Sequence, residues 1–132
     1  MKTEVVDLSG DGNLSAAGPP AMVAKFVLVE QDDLVSLVFG PVDRFRYHAA
    51  LLDRFCQDRD IPTAWVKKPD LVEVFDDSLE IRGGGWIEVD PDKRRVKLYG
   101  YSTAYGRFHS EQALKTVESH PAFSEFTITV RQ

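Results

Sequence analysis

Two stretches hold the residue types that could do chemistry. The run Tyr99-Gly100-Tyr101-Ser102-Thr103-Ala104-Tyr105-Gly106 joins a strand-like segment, Val96 to Tyr99, to a helix-like one, Ser110 to Ser119. A loop of small residues ending at a helix start gathers unpaired backbone N–H groups and the positive end of a helix dipole, which together suit an anion such as phosphate. An ordinary βα connection whose glycines only turn the chain fits the same residues. The second stretch surrounds His48, three residues after Phe45 and four before Leu52, so that on a helix it points along the apolar stripe toward a sheet. There it reads either as a satisfied core histidine or as a general base or nucleophile, since imidazole titrates nearest to neutrality. His109 adjoins the loop and is placed to touch a bound anion, whereas His120 falls at a helix C-terminus.

The elements that must position these residues are read from periodicity. Lys25 to Glu30 and Leu34 to Phe39 are apolar at nearly every position and are separated by Gln31-Asp32-Asp33, so they predict a hairpin covered on both faces. From Asp43 to about Gln57, Phe45, Ala49, Leu52, Phe55 and Cys56 recur at helical spacing, with Asp43 as the expected cap. Pro62 and Pro69 interrupt the stretch from Ile61 to Asp77, which predicts an edge strand at most. Ser78 to Val89 and Arg94 to Tyr101 form a second hairpin, and Gly83-Gly84-Gly85 in its first strand predicts a bulge or a close backbone approach. The helix from Ser110 stops before Pro121, and Glu125 to Val130 alternates as a last strand. The expected fold is α/β in the α+β sense: a mixed, mostly antiparallel sheet of about five to six strands with helices on both faces. Residues 1–21 read as a flexible tail because Ser9 to Pro20 is rich in Gly, Ser, Ala and Pro, leaving 22–132 as a single domain.

At 132 residues the chain fits one domain, and no apolar run approaches the roughly 18 to 20 residues of a membrane span. The first twenty residues carry neither a basic leader nor an apolar block, so a cytoplasmic location is the default expectation. A net charge of −5 without a basic stripe makes nucleic acid a poor partner, and any anion site must be local. The single Cys56 excludes an internal disulfide and a cysteine zinc cluster. Asp7 to Gly12 mimics the opening of an EF-hand loop, yet Gly18 stands where that loop needs Glu. No metal-ligand pair, P-loop or dinucleotide spacing occurs, so neither metal nor cofactor is expected.

The chain resembles the Janus/Ocnus group, whose best-known members are small protein phosphohistidine phosphatases. The resemblance spans roughly Lys25 to Val130. It rests on Lys25-Phe26-Val27-Leu28, on Tyr47-His48-Ala49, on Gly83-Gly84-Gly85 and above all on the Tyr99 to Gly106 run. It implies a mixed sheet between helices and metal-independent removal of phosphate from phosphohistidine. It further implies a catalytic role for His48, a phosphate contact from Lys25, and an anion loop at Ser102, Thr103 and Ala104 that acts through the Ser102 hydroxyl and backbone N–H groups. The partner so implied is a phosphorylated protein or a phosphate anion, and the domain is expected to be monomeric. Two positions depart from the family: Trp86 and Phe39 stand where it carries arginines. Arg44, one helical turn before His48, is an auxiliary candidate, as is His109, while Arg46 is expected to face elsewhere. Arg82 is a third, although it lies about 13 Å from Trp86 along an extended strand. The extra residues between the His48 helix and Gly83 are expected to form either a lip over the site or an edge strand.

Overall fold

The computed structural model describes residues 2–8 and 21–132. In chain order its elements are β1 (Lys2–Asp7), β2 (Met22–Gln31), β3 (Leu34–Pro41), α1 (His48–Asp58), β4 (Thr63–Lys67), β5 (Leu71–Val74), β6 (Leu79–Asp90), β7 (Arg95–Tyr99), α2 (Ser110–Ser119) and β8 (Thr127–Arg131). Side-chain alternation in β2 and β3 sets the layers. Phe26, Leu28, Leu37 and Phe39 face one side, and Val27, Val29 and Val38 face the other. Both faces therefore need a cover, and each receives a helix. On one side α1 packs Ala49, Leu52, Phe55 and Cys56 against the valines; on the other α2 packs Ala113 and Val117 among Phe26, Phe108 and Phe123. Burial pushes the Cys56 thiol up to about 11, as befits an unreactive core residue.

The main sheet has the order β1-β3-β2-β6-β7-β8. Its three central pairings, β3 with β2, β2 with β6 and β6 with β7, are antiparallel, and the outer two, β1 with β3 and β7 with β8, are parallel. The expected mixed sheet with a helix on each face is thus the fold found.

Three expectations need correction. Composition places a flexible tail through residue 21, but Lys2–Asp7 pairs with β3 in full register. Val5 packs on the α2 side and Val6 on the α1 side, while Glu4 accepts from Arg59 at 2.9 Å and from the Ser36 hydroxyl at 2.6 Å. The Gly- and Pro-rich stretch at 9–20, including most of the EF-hand-like run, lies outside the described residues. Second, α1 starts at His48, five residues after Asp43, and its N-cap is Tyr47 with no side-chain cap bond. Phe45 is the reason: its ring fills the space where Gly40 lacks a Cβ, and Arg44 and Phe45 donate instead to Pro41 O in a turn. Third, residues 63–74 form a separate two-stranded hairpin, not an edge of the main sheet. Val72 enters the α1-side core, with Trp65 and Val74 packed around it.

Candidate functional site

Glycine brings the site together. The chain leaving β7 folds back onto the glycine run of β6, where Gly84 N–H donates to Gly106 O at 3.2 Å and Gly84 bridges Arg107. Gly83 has φ +89°, and a Cβ there would lie 2.0 Å from Arg107 O, so only glycine allows the crossing. A Cβ on Gly84 would lie 2.9 Å from His48 Cδ2 and 3.2 Å from Ser102 Cβ. Imidazole and loop, remote in sequence, meet over one missing side chain. Both line a cleft of about 730 Å³, larger than a phosphate needs and within the range of small-molecule sites.

His48 is the first residue of α1 and only 7% exposed. Its Nε2 lies 2.9 Å from Gly85 O; a carbonyl only accepts, so Nε2 carries the hydrogen and Nδ1 keeps the lone pair. Desolvation holds the imidazole pKa below its ordinary 6.5, against a smaller upward pull from the Gly85 bond, and the nearby Lys25 charge adds to the depression. The ring is therefore neutral at pH 7 and able to take a proton.

The loop closes on itself: Ser102 N–H donates to Gly106 O at 3.1 Å, and Gly106 N–H returns a 2.7 Å bond to Ser102 O. The Ser102 amide is thus committed, and Ser102 offers its hydroxyl instead. Its Oγ accepts from Tyr105 N–H at 3.0 Å, which leaves the O–H free to donate. The Thr103 and Ala104 amides have no acceptor among the described residues, and both residues line the cleft. A helix dipole does reach this cleft, but from α1. Its N-terminus has no side-chain cap and no acidic residue in the first turn, so its positive end stays open to an anion. The start of α2 is closed by His109, whose Nδ1 accepts from Gln112 N–H at 3.2 Å, and His109 is not among the cleft residues.

Lys25 sits opposite Trp86 in the β2–β6 ladder. Its Nζ lies 5.1 Å from the Trp86 ring and 5.9 Å from the Tyr47 ring, and it donates to Arg46 O, so the cation is pinned at the cleft wall. Partial burial lowers its pKa. Phe39, the other position where the resemblance places an arginine, is buried in the α2-side core.

The auxiliary candidates fare differently. Because residues 43–47 are not helical, Arg44 does not reach the cleft, and Arg46, expected to face away, lines it. Arg82 is held by Glu80 at 2.6 Å and Glu30 at 3.4 Å and is also outside the cleft. Lys67, Asp70 and Leu71 enter from the β4–β5 hairpin, which is therefore a lip. Tyr105 latches that lip to the loop, accepting from Val72 N–H at 3.2 Å. Arg46 carried a usable signal in standing next to Tyr47-His48; Lys67 carried none, since its place depends on how the hairpin docks. Among the described residues no three His, Cys, Asp or Glu side chains gather where a metal ion could sit, and no helix is long and apolar enough to cross a membrane.

A helix-covered mixed sheet whose glycine strand gathers an imidazole, an ammonium group and unpaired amides defines an α+β domain with an anion-competent cleft. The chain belongs to the Janus/Ocnus family, whose sequence profile, Janus/Ocnus family (Ocnus), matches residues 22–127. It is also similar to the sex-regulated protein janus-B of Drosophila sechellia and of Drosophila simulans, at 30% identity over 69 residues in each case, covering 45% of this chain and 49% of the relative. The chain spans about half the length of the curated relatives it matches.

Proposed function

We propose that this chain is a phosphohydrolase that removes phosphate from phosphohistidine on proteins without a metal, with His48 as general base. The observation that carries the reading is the fixed tautomer of His48, whose Nε2–H is bound to Gly85 O while the ring borders the same cleft as the Thr103 and Ala104 amides. In this mechanism the amides, the Ser102 hydroxyl and Lys25 hold the phosphoryl oxygens and stabilise the charge they carry in the transition state. Nδ1 of His48 takes a proton from water as its oxygen bonds to phosphorus. The P–N bond breaks, its electron pair stays on the leaving imidazole, and that nitrogen is protonated by the His48 imidazolium or by solvent.

A second reading is a non-catalytic module of the same fold that binds phosphate or a phosphoprotein. Trp86 and the buried Phe39 favour it, since both stand at family arginine positions and leave fewer cations around the anion. Incubating wild type and His48→Ala with a histidine-phosphorylated protein separates the two. Multiple turnovers by wild type and a loss of about 10²- to 10⁴-fold in the variant support the hydrolase. Equal turnover would remove His48 from the mechanism; phosphate binding without turnover in wild type supports the module.

A further inference from the structure

The α1-side face of the main sheet is only half covered. The core beneath α1 draws side chains from β2, β3 and β6 but none from β7 or β8. Register fixes what the uncovered half presents: Trp86 stands beside Tyr99 and Arg131, Glu88 beside Lys97 and Thr129, and Asp90 beside Arg95 and Thr127. The intervening residues Ile87, Leu98 and Val130 point to the α2 core, so these rows all face the same side as the cleft. Arg95, Lys97 and Arg131 are exposed, and a shallow groove of about 710 Å³ runs along them.

The cations of this face are uncommitted. Elsewhere Arg54, Arg59, Lys67, Arg82, Arg94 and Lys115 each have a carboxylate within 4.0 Å, while Lys2, Arg46, Lys68 and Arg107 have none among the described residues. Lys93, Arg95, Lys97 and Arg131 have none among the described residues, although the chain carries a net −5. Of the two acids on the face, Glu88 lies near enough to Tyr99 for its charge to add to burial in raising the phenol pKa, and Asp90 accepts from Lys93 N–H at 3.2 Å. The face is continuous with the cleft through Trp86, whose ring stacks on Tyr99 with centroids 6.5 Å apart and planes at 14°.

We propose that the open β6–β7–β8 face is the platform on which an acidic partner protein docks while its phosphorylated residue enters the cleft. This rests on the phosphate-cleft reading above and adds the partner's surface chemistry to it. Glu88 and Asp90, interleaved with the cations, suit a protein of mixed but acidic surface better than a uniformly charged phosphodiester backbone. Steering by such a face raises association rates and weakens as salt is added.

The test compares wild type with Arg95→Glu/Lys97→Glu and the milder Arg95→Gln/Lys97→Gln. Four probes serve: a histidine-phosphorylated peptide with Asp/Glu flanks, one with Lys/Ser flanks, free phosphohistidine, and a single-stranded oligonucleotide. Affinity for the unphosphorylated forms of the two peptides is read by fluorescence anisotropy, and turnover by phosphate release. Wild type should bind the acidic peptide more tightly, charge reversal should weaken it about tenfold, and the difference should shrink with rising salt. Turnover of free phosphohistidine should not change, because neither Arg95 nor Lys97 lines the cleft. Equal affinity across the variants overturns the platform, as does a preference for the Lys-flanked peptide or tighter binding of a single-stranded oligonucleotide. Turnover of free phosphohistidine without any charge contrast leaves catalysis standing and removes the platform; the contrast without turnover does the reverse.

Discussion

The proposed base role requires His48 to be unprotonated when substrate arrives, and burial favours that state. Desolvation disfavours the imidazolium, so the folded pKa lies below the ordinary 6.5. Protonation on acidification removes the Nδ1 lone pair, so the acid limb of kcat/KM should fall below pH 6.5, not at it. Following the His48 ring protons by NMR checks this without turnover. A midpoint at or above 6.5 would count against the base assignment. Lys25→Ala should raise the midpoint, because it removes a repelling cation and admits water, while leaving it below the value of a free histidine. At this scale much of the lining of the candidate cleft was legible. Lys25, His48, Ser102, Thr103 and Ala104 lie within contiguous motifs, and all five line one cleft. What sequence misplaced were the flanking charges. The choice between Arg44 and Arg46 depends on where the helix starts, and the Phe45 ring over Gly40 decides that through a contact no periodicity encodes.

Elements with strong periods were read to within a few residues: the β2–β3 and β6–β7 hairpins, and α2, whose bounds fall on Ser110 and Ser119. The β4–β5 hairpin was harder, because prolines mask its pattern and its partner is α1 rather than a neighbouring strand. Its link to the site is a side chain from another element. Tyr105 Oη accepts from Val72 N–H and lies 3.4 Å from Val72 O, so the loop and the lip are one hydrogen-bonded unit. In Tyr105→Phe the Val72 amide loses its acceptor in a partly buried place, at a cost of about 1 kcal/mol. Global stability should fall by no more than that, whereas amide exchange over residues 71–74 should accelerate more than exchange in β2 or β6. Unchanged protection at Val72 would mean that the lip is held by Trp65 and Val74 packing alone.

At the scale of the whole molecule, pattern reading reached the layers but not the strand order, since an order is a set of long-range pairings and each strand's alternation is the same whichever neighbour it has. The clearest loss was β1. Its six residues hold only two valines and are followed by a Gly- and Pro-rich stretch, so composition assigned the whole terminus to a tail. Three-dimensional context recruits it: the edge of β3 offers unpaired backbone groups, and Glu4 satisfies both the buried Ser36 hydroxyl and Arg59. β1 also lies outside the residues matched by the family profile, and no cleft residue comes from it. Deleting residues 2–8 should therefore separate stability from site chemistry. Loss of the partly buried valines and of the Ser36 partner should lower unfolding free energy by about 2 kcal/mol, read as a lower urea midpoint. Phosphate affinity at temperatures where the protein stays folded should match the full chain. The uncovered β3 edge should also promote self-association, visible by sedimentation as protein concentration rises. An unchanged urea midpoint would mean that β1 contributes nothing to the fold, and a weakened phosphate site in the folded truncated protein would mean that the cleft depends on the far edge of the sheet.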